Sequence, residues 1–218
     1  MVREFFDDTP TEEPVRGFLH FPEHPSGDGL ILTHGAGANC QSTLLVTLAA
    51  AFCASGLTVL RCDLPFRQLR PHAPPPRGSA ERDQQGLRRA IELFRPQTPG
   101  RVFIGGHSYG GRQASMLAAS EPGLVAGLLL LSYPLHPPKR PAQLRTAHFP
   151  GLLTPALFVH GTRDGFGSVE EMTAALKLIP AKTELLSLAG AGHELVLARK
   201  ARDETMTVVK AFSQFVEQ

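Results

Sequence analysis

The segment of this sequence best suited to covalent chemistry is a serine flanked by glycines, Gly106-His107-Ser108-Tyr109-Gly110. It matches G-x-S-x-G, a pattern in which a sharp turn between a strand and a helix exposes the serine hydroxyl. An apolar run at residues 102–104 precedes the motif and a helical segment follows it, which is the context that such a turn requires. We therefore predict that Ser108 is a nucleophile.

A histidine and an aspartate that could activate this serine occur later in the chain. A serine hydroxyl is a weak nucleophile at neutral pH, so it needs a nearby base and a third group that fixes the tautomer of that base. Asp164 follows an apolar run at 156–159, and His193 follows another at 184–188. The carboxyl ends of parallel strands lie at one edge of a sheet, so these side chains are expected to meet Ser108 there. We predict His193 as general base and Asp164 as the group that orients it.

A glycine-rich segment, His34-Gly35-Ala36-Gly37, follows the apolar run at 30–32. Acyl transfer builds negative charge on the substrate oxygen, and backbone N–H groups stabilise that charge. We predict one such donor at the N–H of Ala36 and the other at the N–H of Tyr109, the residue after the nucleophile.

Short apolar runs alternate with longer periodic segments along the chain, which predicts an α/β fold with a parallel sheet. The runs lie at residues 30–32, 58–62, 102–104, 128–131, 156–159 and 184–188. Residues 15–21 are expected to add an edge strand. The prediction is a mostly parallel, twisted sheet of about seven strands, with helices on both faces and right-handed crossovers.

Helical spacing of apolar residues marks the segments between the strands. The expected core-facing residues are Leu44, Leu48, Ala51 and Phe52 in one helix, Met172, Leu176 and Ile179 in another, and Met206, Val209, Phe212 and Phe215 or Val216 near the end. Ser168 and Glu171 form a capping-box pattern in front of the second of these helices. Residues 108–120 predict a helix that ends before Pro122.

Composition is typical of a single globular domain over residues 1–218, with 42% hydrophobic and 19% charged residues. The net charge is only +2, without a long run of Lys and Arg, so nucleic acid is not an expected partner. The uncharged stretch 29–60 is interrupted by a glycine-rich segment and by Gly56, so no membrane span is predicted. The oligomeric state is left undetermined.

The cysteines and the N-terminal residues indicate whether the protein binds a metal and in which compartment it is expected. Cys40, Cys53 and Cys62 form no CxxC pair and no HExxH motif occurs, so we expect neither a metal nor another cofactor. Residues 1–8 are acidic and lack the apolar core of a signal peptide, which predicts a cytoplasmic protein. Cys40 follows the predicted oxyanion loop, where we interpret it as a small buried side chain rather than a reactive thiol.

Two proline-rich stretches, 71–76 and 134–141, follow predicted strands and are expected to form a rim around the site or merely rigid connectors. The segment 63–79 carries Arg67, Arg70 and Arg77 against Asp63, and the segment 133–150 carries Lys139, Arg140 and Arg145. A basic rim suggests a preference for anionic esters, while the alternative is a solvated loop surface.

Candidate substrate contacts are Arg67, Arg112 and Tyr133. Arg112 lies one helical turn after Ser108, where it could hold an anionic group or form a structural ion pair. The Tyr109 side chain could line the acyl pocket or pack against the sheet. His34, His107 and His160 flank the motifs and are interpreted as structural residues.

The motifs together resemble those of the α/β-hydrolase superfamily, in its lid-less dienelactone-hydrolase-like branch. The resemblance is carried by residues 105–112, by the run Phe158-Val159-His160-Gly161-Thr162-Arg163-Asp164 and by Gly192-His193, and it extends over nearly the whole chain. The order serine, aspartate, histidine is the order of that superfamily. These motifs also resemble a branch containing a testis-expressed protein and a subunit of the non-specific-lethal chromatin complex.

This resemblance implies a serine hydrolase without a lid domain, since residues 132–155 leave room for only a loop and a short helix. Dienelactone hydrolases use cysteine as nucleophile, so Ser108 argues against that particular substrate. A small acyl substrate is expected, as a carboxylic ester, although a thioester or an amide suits the same machinery.

Two other classes of function are alternatives. A non-catalytic scaffold is suggested by the chromatin-associated relatives, although an intact set of three groups argues for an enzyme. A nicotinamide-dependent enzyme is rejected, because Cys40 replaces the third glycine of the dinucleotide-binding pattern after Gly35 and Gly37.

Overall fold

The computed structural model describes residues 1–10, 12–195 and 201–217, and within them eight strands form one sheet. The strands are β1 (Val2–Asp7), β2 (Val15–His20), β3 (Gly29–Thr33), β4 (Thr58–Asp63), β5 (Val102–His107), β6 (Gly127–Leu131), β7 (Ala156–Gly161) and β8 (Thr183–Leu188). Their order across the sheet is β1-β2-β4-β3-β5-β6-β7-β8. β2 is antiparallel to both β1 and β4, and the strands from β4 to β8 run parallel. The predicted mostly parallel sheet is confirmed.

β1 is a strand that the sequence analysis missed, and β2 therefore does not form the edge that was expected for residues 15–21. β1 pairs with β2 from Val2 opposite His20 to Asp7 opposite Val15. Its side chains are mostly exposed, so it lacks the apolar pattern on which the prediction depended. The backbone ladder holds it, together with the guanidinium of Arg16 over the ring of Phe6 at 4.9 Å.

The helices are α1 (Thr43–Ala54), α2 (Pro65–Leu69), α3 (Ala80–Phe94), α4 (Tyr109–Ser120), α5 (Val169–Leu176) and α6 (Ala201–Glu217), with 3₁₀ turns at Arg95–Gln97 and Phe149–Gly151. They cover both faces of the sheet, as predicted. Buried residues of α3, α4 and α5 form one hydrophobic core with the sheet, and those of α1 and α6 form a second core. The site is built between these layers, at the carboxyl edge.

The central strands supply both cores because successive side chains of a strand point to opposite faces. In β6, Leu128 and Leu130 belong to the core under α4, whereas Leu129 and Leu131 belong to the core under α1 and α6. All four leucines are fully buried. Burying each contributes about 2 kcal/mol, which explains the unbroken apolar run in the sequence.

The helix predictions hold with errors in α1 and α6. In α1, Leu48 and Phe52 are buried as expected, but Leu44 and Ala51 are only partly buried and Leu45 and Ala49 are buried instead.

In α6, Val209, Phe212 and Phe215 are buried as expected, but Met206 is 40% exposed and Val208 is buried instead. A helix repeats every 3.6 residues, so its buried stripe includes neighbours such as Val208 and Val209 and leaves Met206 beside it.

The capping box in front of α5 is confirmed. Ser168 Oγ accepts a hydrogen bond from the N–H of Glu171 at 3.2 Å, and the Glu171 carboxylate accepts one from the N–H of Ser168 at 2.7 Å. The box fixes where the chain leaves the carboxyl edge after β7.

The connection between β6 and β7 contains a loop and the 3₁₀ turn Phe149–Gly151, without an inserted lid domain. This agrees with the expectation for residues 132–155. Of the helices in the described ranges, none has the length and apolar character needed to cross a bilayer.

Candidate active site

Ser108 occupies a strained turn between β5 and α4, with φ 49° and ψ −112°. Two glycines make this turn possible because the backbone of β3 lies against it. A Cβ atom on Gly106 would lie 2.4 Å from the Thr33 carbonyl oxygen, and one on Gly110 would lie 2.4 Å from Thr33 Oγ1. The N–H of Ser108 donates to the Leu131 carbonyl at 2.8 Å, which ties the turn to β6. Thr33 was not identified from the sequence.

Three side chains from different strand ends meet at Ser108. His193 Nε2 lies 2.8 Å from Ser108 Oγ, and His193 Nδ1 lies 2.8 and 3.0 Å from the two carboxylate oxygens of Asp164. The Asp164 carboxylate accepts the proton on Nδ1, which leaves Nε2 free to accept the Ser108 hydroxyl proton. This is the geometry that a serine nucleophile needs from a base and its orienting acid.

Asp164 follows β7 and has a fully buried carboxylate. Burial in itself would raise the pKa of Asp164, but hydrogen bonds from His193 and from the Phe166 N–H lower it below its ordinary value. The Phe166 N–H donates to Asp164 Oδ1 at 2.8 Å. Asp164 is thus an anion at neutral pH and can stabilise an imidazolium on His193.

His193 is held on two sides by residues whose roles the sequence did not reveal. The ring of Phe166 stacks on it, with centroids 4.1 Å apart and planes 27° apart. His107 Nε2 donates to the His193 carbonyl oxygen at 2.8 Å. Burial lowers the pKa of His107, so its ring is a neutral donor. Phe166 is two residues after Asp164, and this closeness in sequence was the signal that could have placed Phe166 in the site.

The other two flanking histidines also bind backbone groups, as expected of structural residues. His34 donates from Nδ1 to the Gly35 carbonyl at 2.9 Å and accepts from the N–H of Leu64 at 3.1 Å. His160 donates from Nε2 to the Gly167 carbonyl at 2.8 Å. Its Nδ1 lies 3.9 Å from Asp164 Oδ2, so this ring packs directly behind the carboxylate.

The two predicted oxyanion donors lie in different elements, Ala36 in the segment after β3 and Tyr109 at the start of α4. Throughout the described part of the chain, neither the N–H of Ala36 nor that of Tyr109 has an acceptor. The N–H of Gly110 donates to the His34 carbonyl at 3.1 Å, which joins this segment to the start of α4. The two free N–H groups are therefore available to an oxygen of a bound molecule.

A cavity of about 350 Å³ opens over Ser108. Its walls are formed by Gly35, Ala36, Gly37, Ala38, His107, Ser108, Phe166, His193 and Glu194. The Tyr109 side chain is not part of this wall. Its hydroxyl donates to Asp83 at 2.6 Å, and its ring packs edge-on against Phe66, which favours the packing interpretation.

Within residues 1–10, 12–195 and 201–217, no cluster of His, Cys, Asp and Glu could hold a metal ion.

The three candidate substrate contacts do not line this cavity. Arg67 is buried in α2, where its guanidinium donates to the Ala36 carbonyl at 2.7 Å and to the Pro71 carbonyl at 2.7 Å. The Tyr133 ring is buried, and its hydroxyl donates to the Arg145 carbonyl at 2.5 Å. Arg112 lies on α4, half-buried. Contact of these residues with a substrate stays a prediction.

Cys40 is 2% exposed, and burial raises the pKa of its thiol to about 12. A thiol that stays protonated is a poor nucleophile. This agrees with its interpretation as a small buried side chain.

Comparisons with known proteins place this architecture. A family model described as Alpha/beta hydrolase domain matches residues 26–218. The structure is similar to Est1E from Butyrivibrio proteoclasticus with ferulic acid bound, at a TM-score of 0.78 and 15% identity over 98% of this chain and 100% of that one.

Two further solved structures have the same fold. A serine hydrolase without a lid from Xanthomonas campestris is 18% identical, with a TM-score of 0.75 over 98% of this chain and 94% of that one. A dienelactone hydrolase from Anabaena variabilis is 21% identical, with a TM-score of 0.74 over 98% and 96%.

Proposed function

Because this chain belongs to the alpha/beta hydrolase family, we propose that it is a serine hydrolase that cleaves small carboxylic esters through an acyl-enzyme on Ser108. One observation carries the proposal. Ser108 Oγ, the His193 ring and the Asp164 carboxylate form a chain of hydrogen bonds of 2.8 to 3.0 Å at the wall of a cavity.

In the first half of the reaction, Ser108 Oγ attacks the acyl carbon while its proton moves to His193 Nε2. Asp164 stabilises the resulting imidazolium, and the N–H groups of Ala36 and Tyr109 hold the oxyanion. When the tetrahedral intermediate collapses, the leaving alcohol takes the proton from Nε2 and the acyl group stays on Ser108. Each N–H donor in such a site accelerates the reaction by about 10²- to 10³-fold.

In the second half, a water molecule attacks the acyl-enzyme. His193 Nε2 takes a proton from that water, the same two N–H groups hold the new oxyanion, and the proton returns to Ser108 Oγ as the acid departs. Phe166 and His107 keep the ring in place for both proton transfers, because they contact its face and its backbone carbonyl.

An ester is the substrate class that the site supports best. An oxygen leaving group departs with less help from a proton donor than an amine does, and a cavity of about 350 Å³ suits a small acyl or aryl group. Est1E, which shares the fold, is described with ferulic acid, an aromatic acid, bound to it. A panel of 4-nitrophenyl esters, thioesters and anilides of the same acyl group ranks the three classes by kcat/KM.

The nucleophile is tested with a fluorophosphonate probe on the folded protein. We expect stoichiometric labelling of Ser108 and none in Ser108→Ala, while Ser120→Ala, a change at the end of α4, labels normally. Asp164→Asn should retain the fold and lose about 10⁴-fold in kcat, since the imidazole then takes the wrong tautomer. Failure of the unaltered protein to label or to turn over any member of the panel would indicate a non-catalytic scaffold instead.

A further inference from the structure

Two arginines, Arg112 of α4 and Arg145 of the β6–β7 connection, belong to segments that meet beside the carboxyl end of β6. We call them, with Tyr133, His148 and Ser115, the arginine cluster. Ser115 is one turn after Arg112 on α4, and its Oγ lies 2.8 Å from His148 Nε2. The Tyr133 hydroxyl donates to the Arg145 carbonyl, and the Tyr133 and His148 rings lie 6.4 Å apart. These contacts bring the two segments together.

The cluster holds positive charge that its surroundings do not neutralise. Of the ion pairs formed by the described residues, none includes Arg112 or Arg145. Among the described residues, Arg112 Nε is buried and lacks a hydrogen-bond partner, and the one hydrogen bond of the Arg145 guanidinium is a long one, 3.4 Å, to the Pro134 carbonyl. The sequence analysis left a structural ion pair open as the alternative for Arg112, and Arg112 forms no such pair with any described acidic residue.

Burial and the positive charge of Arg112 lower the pKa values of two other members of the cluster, Arg145 and His148. Burial, and then the charge of Arg112, lower the pKa of Arg145. The same two causes lower the pKa of His148 to about 4, so this histidine adds no charge at neutral pH. Half-buried cations that repel each other are a site where an anion would bind with favourable energy.

The cluster is close to the nucleophile. The N–H of Arg112 donates to the Ser108 carbonyl at 3.0 Å, so the two residues are separated by one helical turn, a rise of about 6 Å. On the strand side, Leu131 accepts the N–H of Ser108, and Tyr133 is two residues further along. Ser132 between them has φ 47°, a strained conformation that turns the chain out of β6 toward the cluster.

We propose that Arg112 and Arg145 bind a carboxylate carried by the ester substrate, a few carbon atoms away from the scissile carbonyl. The planar guanidinium groups of two arginines match a carboxylate in shape and hydrogen-bonding capacity. The inference rests on the proposed esterase function for its kinetic readout. It narrows the substrate class to monoesters of short dicarboxylic acids.

The kinetic experiment compares mono-4-nitrophenyl glutarate with 4-nitrophenyl valerate, which has the same chain length without the carboxylate. Arg112→Gln and Arg145→Gln should each lower kcat/KM for the glutarate ester by about 10- to 100-fold, the effect expected for losing a hydrogen-bonded charge partner. Activity on the valerate ester should change less than about twofold. An unchanged ratio of the two activities in both variants would overturn the assignment.

Two further arginines separate a specific site from general attraction. Arg16→Gln removes the same charge on β2, far along the sheet from Ser108, and should leave both activities unaltered. Arg140→Gln removes an exposed charge from the same β6–β7 connection. If Arg140→Gln lowers the glutarate activity as much as Arg112→Gln does, the loop acts by long-range steering and the cluster is not a binding site.

A binding experiment keeps the two proposals apart. In Ser108→Ala protein, which cannot turn over, free glutarate should shift the NMR resonances of Arg112 and Arg145 and raise the melting temperature, and Arg112→Gln should abolish both effects. If the unaltered protein hydrolyses no ester yet binds glutarate here, the proposed function fails and the site stands. Tighter binding of inorganic phosphate than of glutarate would contradict the carboxylate assignment, as would glutarate binding that survives Arg112→Gln.

Discussion

Phe166 stacks on His193 at a centroid distance of 4.1 Å, and the N–H of the same phenylalanine donates to Asp164. One residue thus fixes both partners of the nucleophile, the ring through its side chain and the carboxylate through its backbone. Only the side-chain contribution can be removed by substitution, which allows the two to be separated.

We predict that Phe166→Leu lowers kcat for 4-nitrophenyl butyrate by about three- to tenfold, since an aromatic pair contributes about 0.5–1.5 kcal/mol beyond burial. The backbone hydrogen bond to Asp164 remains, so the loss should stay well below that of Asp164→Asn. Phe6→Leu, at a residue that is 56% exposed on β1, is the matched control. A Phe166→Leu enzyme with full kcat would show that the stacking does not position the ring.

Arg67 is predicted to be a positioning residue for the oxyanion loop. Its guanidinium donates to the Ala36 and Pro71 carbonyls, so Arg67→Gln should free the loop, lower kcat by about tenfold and leave KM nearly unchanged. Steady-state kinetics on neutral and anionic esters measure this, with Arg16→Gln as control. If KM for anionic esters rises while kcat is preserved, Arg67 contacts the substrate instead.

The close approach of β3 to the serine turn predicts a stability effect. In Gly110→Ala the new methyl group would lie 2.4 Å from Thr33 Oγ1, so the free energy of unfolding should fall by about 1–3 kcal/mol. Urea unfolding measures this loss. Gly165→Ala places its methyl group in open space and should leave the free energy unaltered. Equal stability of the two variants would mean that β3 and α4 move apart at little cost.

The environment of His20 predicts that the free energy of unfolding depends on pH. It is buried on β2, where it accepts a hydrogen bond from Arg61 Nε at 2.9 Å, and burial lowers its pKa to about 4. Between pH 4 and 6.5 the unfolded chain therefore binds a proton that the folded protein does not. The contribution of His20 to the free energy of unfolding is therefore complete above pH 6.5, and it decreases as the pH falls toward 4.

In His20→Gln the amide oxygen can still accept a hydrogen bond from Arg61. The free energy of unfolding should then fall less between pH 6.5 and 4 than in the unaltered protein, by on the order of 2–3 kcal/mol across this range. Urea unfolding at a series of pH values provides the measurement. His24→Gln changes an exposed histidine in the connection after β2 and should keep the original slope. An identical slope in both variants would show that His20 is not the group responsible.

The parts of the fold that the sequence predicted correctly are those with strong local patterns. The apolar runs of β3 to β7 are buried on both faces, so their positions were plain, whereas β8 at the edge of the sheet is only partly buried. The turn at Ser108 was identified by its flanking glycines. Asp164 and His193 were expected beside Ser108 because both follow strands that end at the same edge, and the structure brings the three side chains together. The capping box at Ser168 was a purely local feature and was correct.

The features that were missed depend on contacts that leave no local pattern in the sequence. β1 buries little, so only its pairing with β2 makes it a strand. Phe166 and His107 hold His193 through contacts that no periodicity records. Arg67 was expected at a basic rim because of its charge, whereas three-dimensional packing puts it under the loop of Ala36. For Phe166, His107 and Arg67 the deciding interaction joins residues far apart in the chain, and for β1 it is backbone pairing that leaves no apolar pattern in the sequence.

The leucines of β6 carry a final consequence for how this protein unfolds. Leu128 and Leu130 face the layer of α4, and Leu129 and Leu131 face the layer of α1 and α6. If either helical layer detaches, the leucines of β6 on that side become exposed to water, and the strand that the other layer packs against loses its support. We therefore expect the two sides to melt together in one cooperative transition, and backbone amides of β6 to exchange with solvent only through global unfolding.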